Sequence, residues 1–445
     1  MTNLFRLFYL FIVFSIAGIF CHKKNRGKRL VHVFQMLGPS FIKFGQTLSV
    51  RPDIVGEKIA NDLASLQDKV PPFSTKKALK IVKKELGKNV HDLFKDFDKN
   101  PVAAASIAQV YKAVTHSGEA VAVKILRPGV ERKFGRDINF LYFVAGILNR
   151  FKRLKRLKFI SVVDVFAETV RKEMDLRLEA AAASELLDNC QNDEGFYVPK
   201  IFWNLISRKV LVIEWIDGIP VNDKKALIKA GFDLEKITKH LSTSFLNQAF
   251  RDGFFHADTH PGNLFVDKHG NIAPVDFGIM GRLDKKTRVY VAEILRGFLT
   301  GDYQHVAKIH FDAGYVPKTK SIDDFALACR AISEPIMGLP ANKVSIAKLL
   351  ALLFKVTEDF EMETQPQLLL LQKTMVLIEG VGQTLYPEVN MWQQAEEWIR
   401  VWAKDNLGFE AKIRAGLKDI AEILCDLPKK LKKLDDVLAA MAEKV

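Results

Sequence analysis

Between residues 106 and 128 the chain changes its period. SIAQVYKAVT (106–115) and AVAVKILRP (120–128) alternate, are rich in β-branched residues and are joined by HSGE. Successive strand side chains point to opposite faces, so this pattern predicts a strand–turn–strand unit. Around it the sequence reads mostly as helix. Residues 29–69 carry helical spacing as far as VPPF (70–73), where paired prolines stop a helix. Residues 74–98 resume it, with Ser74 as the expected N-cap. A long helical stretch follows from about 136 to 189, then a buried strand in KVLVIEWIDG (209–218). From 234 onward helices dominate, interrupted by HADTHPGN (256–263) and NIAPVDFGIMG (271–281). The fold class is α+β: a small mixed lobe, then a larger helical lobe, with a cleft between them where a ligand can bind.

Composition narrows the partners. The 445 residues are 48% hydrophobic, enough for two or three packed units. Lys and Arg number 66 against 52 Asp and Glu, a balance of +14 that favours an anionic partner. No basic and aromatic stripe or reader module supports nucleic acid. Cys21, Cys190, Cys329 and Cys425 are scattered and form no CxxC, which speaks against a disulfide framework or a metal site and for a reducing compartment. LFYLFIVFSIAGIFC (7–21) is apolar but for Ser15 and is followed by HKKNRGKR. It is short for a span, and signal peptide, membrane anchor and packed helix all remain readings. Positive charge after the run favours an anchor with the rest of the chain on the cytoplasmic side.

The chemistry lies in spacing. Asp258 and Asn263 are five apart, as in the protein-kinase catalytic loop, where the Asp accepts a hydroxyl proton and the Asn holds magnesium. Thirteen residues on, VDFG places Asp276 at the end of an apolar run, and a carboxylate there suits a hard cation. VAVK puts Lys124 on the second strand, where it would reach nucleotide phosphates; the bland alternative is a snorkelling strand lysine. Glu179, in RLEAAAASELL, is its expected helical partner, and the backbone near Glu214 to Ile216 would meet adenine. One element departs from an ordinary kinase. The glycine-rich phosphate loop is replaced by AAAS, Ala103, Ala104, Ala105 and Ser106. Alanine reaches positive φ less freely than glycine, so this loop should be stiffer.

These motifs together resemble the UbiB/aarF family of atypical protein-kinase-like proteins, over about residues 30–410. PSFIKFGQTLSVRPD carries a KxGQ motif (Lys43, Gly45, Gln46), and EMD carries an ExD motif (Glu173, Asp175). QPQLLLLQKTMVLIEGVGQTLYP (365–387) is similar to the bacterial ubiquinone-biosynthesis branch. The resemblance implies a two-lobed protein-kinase-like fold with a helical N-terminal KxGQ extension over the cleft and a mostly helical C-lobe. The expected divisions are 1–28 (apolar anchor and basic flank), 29–98 (KxGQ extension), 99–218 (N-lobe with inserted helices), 219–395 (C-lobe) and 396–445 (amphipathic helices). Lys43 and Gln46 share a helix face, as do Asp175 and Glu179, and a Lys43–Asp175 ion pair is expected. Without the resemblance, Lys43 and Glu173 would read as solvated charges.

The resemblance also implies ATP and Mg2+ as cofactors and ATPase or small-molecule kinase activity supporting ubiquinone biosynthesis, with protein phosphorylation doubtful. The other reading is a nucleotide-gated scaffold or lipid-intermediate chaperone with little turnover. Implied partners are an anionic lipid membrane, quinone precursor lipids and the biosynthetic enzymes, at the cytoplasmic face of a bacterial inner membrane. The resemblance implies a C-terminal pair of transmembrane helices; the sequence to Val445 holds no apolar run long enough for them, whether by nature or by truncation. LPKKLKKLDDVLAAM (427–441) instead places Leu427, Leu431, Leu434, Leu438 and Met441 on one face, as a packed or an interfacial helix. RFKRLKRLK (150–158) is a second basic segment, for membrane contact or simply solvated.

Overall fold

The computed structural model describes residues 26–49, 55–63, 65–66, 70–151, 159–337, 356, 359–362 and 365–407. The apolar run at 7–21, most of the basic segment at 150–158 and the amphipathic stretch at 427–441 lie outside the described residues. Among the described residues no helix is long and apolar enough to cross a membrane.

The period change marks a five-stranded antiparallel sheet in the order β1-β3-β4-β5, with β2 on the flank of β3. The strands are β1 (Phe94–Phe97), β2 (Ala103–Ala104), β3 (Ala108–Thr115), β4 (Ala120–Leu126) and β5 (Val210–Glu214). Alternation along β4 decides what each face meets. Val121, Val123 and Ile125 point to an upper core with Tyr111, Val210 and Val212, roofed by Ala78 and Val82 of α4 (Thr75–Leu86). Ala122 and Leu126 point the other way, to a core shared with Leu211, Ile213 and the inserted helices. Lys124 lies between them in sequence, so period two places it on that lower face.

β1 corrects the helix expected over 74–98. α4 ends at Gly87, whose φ of 74° is left-handed, and α5 (Val90–Leu93) lasts one turn. Phe94 and Phe97 are three apart, a helical spacing. Both are buried nonetheless in a strand, because the register shifts between Phe94 and Asp96 and the bulge turns both rings inward. Ser74 does stand at the cap position of α4, but its hydroxyl makes no capping bond.

The region 29–69 is not one helix. It folds as α1 (Arg26–Leu37), α2 (Pro39–Ser49) and α3 (Glu57–Leu63), with Gly38 at φ 97° between the first two. The inserted helices are α6 (Val130–Leu148), α7 (Phe159–Glu173) and α8 (Leu176–Cys190). Val33, Phe34, Phe41 and Ile42 share one core with Phe134, Phe166, Leu176 and Phe277. The Phe44 and Phe166 rings meet edge-on at 5.2 Å, fastening α2 to α7.

Beyond β5, residues 215–217 join neither sheet, and the chain enters the larger lobe. There β6 (Gly218–Pro220), β8 (Leu264–Asp267) and β9 (Ile272–Pro274) form a small sheet, and β7 (Phe254–His256) pairs with β10 (Met280–Arg282). Its helices are α9 (Lys224–Lys229), α10 (Leu234–Leu246), α11 (Lys285–Thr300), α12 (Tyr303–Asp312), α13 (Ile322–Met337), α14 (Pro366–Leu385) and α15 (Met391–Leu407). Phe245, Phe250, Phe255, Val306, Phe325, Ile378 and Trp402 lie in its core. The strands of this lobe carry the loops with the polar motifs.

Gly45 shows why the extension needs a residue without Cβ. A Cβ there would stand 2.3 Å from Leu66 Cδ1 and 2.6 Å from Phe34 Cδ2, both on buried side chains. Gly45→Ala should therefore lower stability by about 1–3 kcal/mol through overpacking. Urea unfolding followed by circular dichroism reads this; an unchanged midpoint would show that the helices part freely.

Candidate active site

The site begins with one amine and two carboxylates. Lys124 Nζ lies 2.6 Å from Glu179 Oε1 and 3.2 Å from Asp276 Oδ1. Helix α8 brings Glu179 beneath the sheet because its apolar face, Leu176, Ala180, Ala183 and Leu186, is buried in the lower core. Glu179 Oε1 also accepts the Phe277 N–H at 3.3 Å, while the Phe277 ring is buried. One carboxylate thus ties the strand lysine to the Asp-Phe-Gly turn.

Burial opposes the charge on Lys124, but Asp276 and Glu179 overcome it and raise its pKa, so the amine stays protonated. The two acids divide unequally. Burial would also raise Asp276, yet its side chain is 44% exposed, so the cation beside it dominates. Lys124, the Gly278 N–H and Lys43 hold Asp276 well below the usual carboxylate range. Glu179 is the more deeply enclosed; burial, with Asp276 nearby, pushes it up to about 7 against the pull of Lys124. Asp276 is accordingly the acid that keeps a full negative charge facing the cleft.

The loop between β7 and β8 carries the second group. Asn263 Nδ2 donates to Asp258 Oδ2 at 2.9 Å, fixing the two polar ends together. The Val275 N–H donates to Asn263 O at 3.0 Å, joining this loop to the one bearing Asp276. His256, not among the candidates expected from sequence, locks the two loops. Its Nδ1 accepts the Asp258 N–H, leaving the proton on Nε2, which donates to Asp276 O at 2.6 Å. Burial lowers its pKa and keeps the ring neutral. The His in H-x-D was the available signal. Gln248 adds a tie that had no such signal: its Oε1 accepts the His256 N–H at 3.1 Å, from a π-helical turn over Asn247–Asp252. Such turns are frequent at functional sites.

Ala103 and Ala104 form β2 opposite Val110 and Gln109; the Ala105 N–H donates to Ala108 O; Ser106 is buried. The loop is tied into the sheet. Glu214 turns its carboxylate to the Tyr197 hydroxyl (2.6 Å) and the Lys200 N–H (3.1 Å), so contact with a base there would be through backbone. Ile216 follows on the stretch that leaves the sheet.

The expected Lys43–Asp175 pair is corrected. Lys43 Nζ lies 2.8 Å from Glu173 Oε1, with both side chains nearly enclosed. Helix α7 ends at Glu173, so Asp175 becomes the N-cap of α8. It accepts the Arg177 N–H and holds the Arg177 guanidinium through both oxygens. Gln46 Nε2 donates to Leu66 O at 3.2 Å, bracing the extension internally. Lys43 is near enough to Asp276 to stabilise its charge, so the extension reaches the acidic end of the cleft.

Comparison with known proteins shows the family. The ABC1 atypical kinase-like domain matches residues 65–310, and the UbiB helical domain matches 329–390. The chain belongs to the ABC1/UbiB family of atypical kinase-like proteins. It is 41% identical over 398 residues to a "Probable protein kinase UbiB" of Marinobacter nauticus, covering 88% of this chain and 73% of the relative. A protein of the same description from Histophilus somni is 40% identical over 423 residues, covering 92% and 78%. Among solved structures, the Rv3197–erythromycin complex from Mycobacterium tuberculosis is similar at 26% identity with a TM-score of 0.54, covering 80% of this chain and 90% of that one. The two-lobed α+β kinase-like fold is thus common to this chain and a solved relative.

Lys124 and Glu179 are an enclosed pair, and removing one partner of such a pair strands the other. Lys124→Met should cost about 3–5 kcal/mol. Lys124→Met with Glu179→Leu should recover much of that loss. Chemical denaturation of both variants reads it, and a neutral single substitution would show that the pair is not desolvated.

Proposed function

We propose that this family member binds Mg-ATP in the cleft and cleaves its terminal phosphate, as an ATPase or small-molecule kinase supporting ubiquinone biosynthesis. The observation that carries the reading is the junction of two groups: Lys124 with Glu179 and Asp276, and Asp258 with Asn263, joined through His256. A pure binding module has no need of a carboxylate held beside the Asn and Asp of a hard-cation site.

The donor set fits magnesium. Asp276 presents an ionised, partly exposed carboxylate, and Asn263, bonded through Nδ2, turns its amide oxygen elsewhere. Among the described residues no three His, Cys, Asp or Glu side chains converge into a cage, so phosphate and water oxygens would complete the shell. When bound, the ion neutralises charge on the β- and γ-phosphates. Lys124 directs its positive charge at the α- and β-phosphates, and Glu179 holds it there. Asp258 orients the attacking hydroxyl or water and accepts its proton; its bond to Asn263 fixes the carboxylate. His256 holds both loops at the required separation.

The docked extension supports regulation by Lys43, Gln46, Glu173 and Asp175, and a restricted acceptor, water or a small lipid head, rather than a protein. A quinone precursor is the acceptor or effector we favour, with anionic lipid and the biosynthetic enzymes as partners at the cytoplasmic face of an inner membrane. The pinned alanine loop favours a second reading, a nucleotide-gated scaffold that turns over slowly.

Asp276→Asn should abolish magnesium-dependent nucleotide binding, measured by calorimetry; unchanged affinity removes Asp276 from the metal site. Asp258→Asn should keep binding but lower turnover by about 100-fold or more, the usual contribution of a positioned base. The deciding assay is phosphate release from Mg-ATP on liposomes with and without cardiolipin and a phenolic quinone precursor. Turnover that is stimulated, and absent from Asp276→Asn, supports the ATPase; tight binding without turnover under every condition supports the scaffold.

A further inference from the structure

The alanine loop is held from outside by a residue just beyond β4. Arg127 Nε donates to Ala105 O at 2.8 Å, and Nη2 donates to Pro71 O at 2.9 Å and to Val70 O at 3.4 Å. Its backbone N–H takes Ile107 O at 2.8 Å. The guanidinium also stands 5.5 Å over the Phe73 ring. One planar fork therefore spans the phosphate loop and the extended segment 70–73 that follows the extension helices. A point-like ammonium could not reach these carbonyls together.

The same two segments are joined twice more. The Val70 N–H donates to Ala104 O at 3.3 Å. Gln109, wholly buried on β3, accepts the Phe73 N–H at 2.8 Å and donates to Phe73 O at 3.2 Å, so its amide imitates a neighbouring strand. The Gln109 amide also meets the buried Tyr111 hydroxyl, which donates to Thr75 Oγ1 at 3.3 Å at the start of α4. On its other side, segment 70–73 follows Leu66, whose carbonyl receives Gln46. Gln46 lies one helical turn from Lys43, the residue that pairs with Glu173 and stabilises Asp276.

We propose that Arg127 is a positioning residue that makes the phosphate loop and segment 70–73 one moving part, so that nucleotide held under the loop is felt by the N-terminal helices. The alanines restrict the loop's own flexing, and Arg127 transfers what motion remains to the segment outside it. A nucleotide that orders the loop then also orders 70–73, the segment that follows the extension helices. The Arg127 clasp supplies a contiguous chain of contacts between loop and segment through which such coupling would run. The inference rests on the nucleotide reading above, and the two can fail separately.

Hydrogen exchange on the full chain, with and without Mg2+ and a non-hydrolysable ATP analogue, tests it. In the unaltered protein the analogue should slow the amides of 103–108 and those of Val70 and Phe73 together. In Arg127→Gln it should slow 103–108 as before but Val70 and Phe73 less, since only the Val70–Ala104 and Gln109–Phe73 bonds remain, and KM for Mg-ATP should rise about tenfold with a smaller change in kcat, as for loss of a charge-assisted hydrogen bond. Gln109→Leu spares Arg127, removes the acceptor of the Phe73 N–H and should uncouple Phe73 while Val70 stays coupled. Protection of 103–108 without Val70 and Phe73 in the unaltered protein overturns the inference and leaves the nucleotide reading standing, whether or not the variants fold. Undiminished coupling in Arg127→Gln also overturns it. Absence of any analogue binding removes the nucleotide reading, and this inference with it.

Discussion

The Lys124–Glu179 ion pair is the contact on which the site's geometry depends. Two charges taken out of water are costly unless each finds a close partner. Here the requirement has an architectural result. Glu179 can reach Lys124 only if α8 lies under the sheet, and α8 can lie there only if the lower core is filled. The same carboxylate receives the Phe277 N–H, so the Asp-Phe-Gly turn is placed by the group that satisfies the lysine. Asp276 then sits beside a cation and keeps its charge although it is partly enclosed. Electrostatic need and apolar packing specify one arrangement, a consistency expected of a minimally frustrated chain.

The extension extends this logic. Phe34 and Phe41 belong to the same core as Phe277, and Lys43 brings a second positive charge towards Asp276. Glu173 offsets that charge within an almost closed pocket. The N-terminal helices are therefore joined to the Asp-Phe-Gly turn through both apolar packing and charge.

Much of this was readable in the sequence, for reasons that differ by residue. Lys124 and Glu179 were identifiable because alternation fixes a strand lysine's face and the kinase order names its partner. Asp258, Asn263 and Asp276 were singled out by residue type at kinase-motif spacing, and the structure joins their loops. The partner of Lys43 was not, since Glu173 and Asp175 differ only by where α7 stops, and tertiary contacts set that. Strand β1 was misread because a bulge gives Phe94 and Phe97 a helical spacing. Arg127 left no sequence signal, because its partners are carbonyls, which every residue has. Gln248 was invisible for a related reason: a π-turn is a backbone irregularity without a residue code.

The shared lower core has a consequence for how the chain matures. Helices α1 and α2 emerge from the ribosome early, but Phe254 and Phe277, which complete the core they enter, follow more than two hundred residues later. At typical elongation rates that interval is on the order of ten seconds or longer. Throughout it, Val33, Phe34, Phe41 and Ile42 lack part of their final surroundings. Completion of this core is therefore a late, long-range closure. A nascent-chain chaperone or a nearby lipid surface would meet those aromatic faces before the chain's own Asp-Phe-Gly turn does.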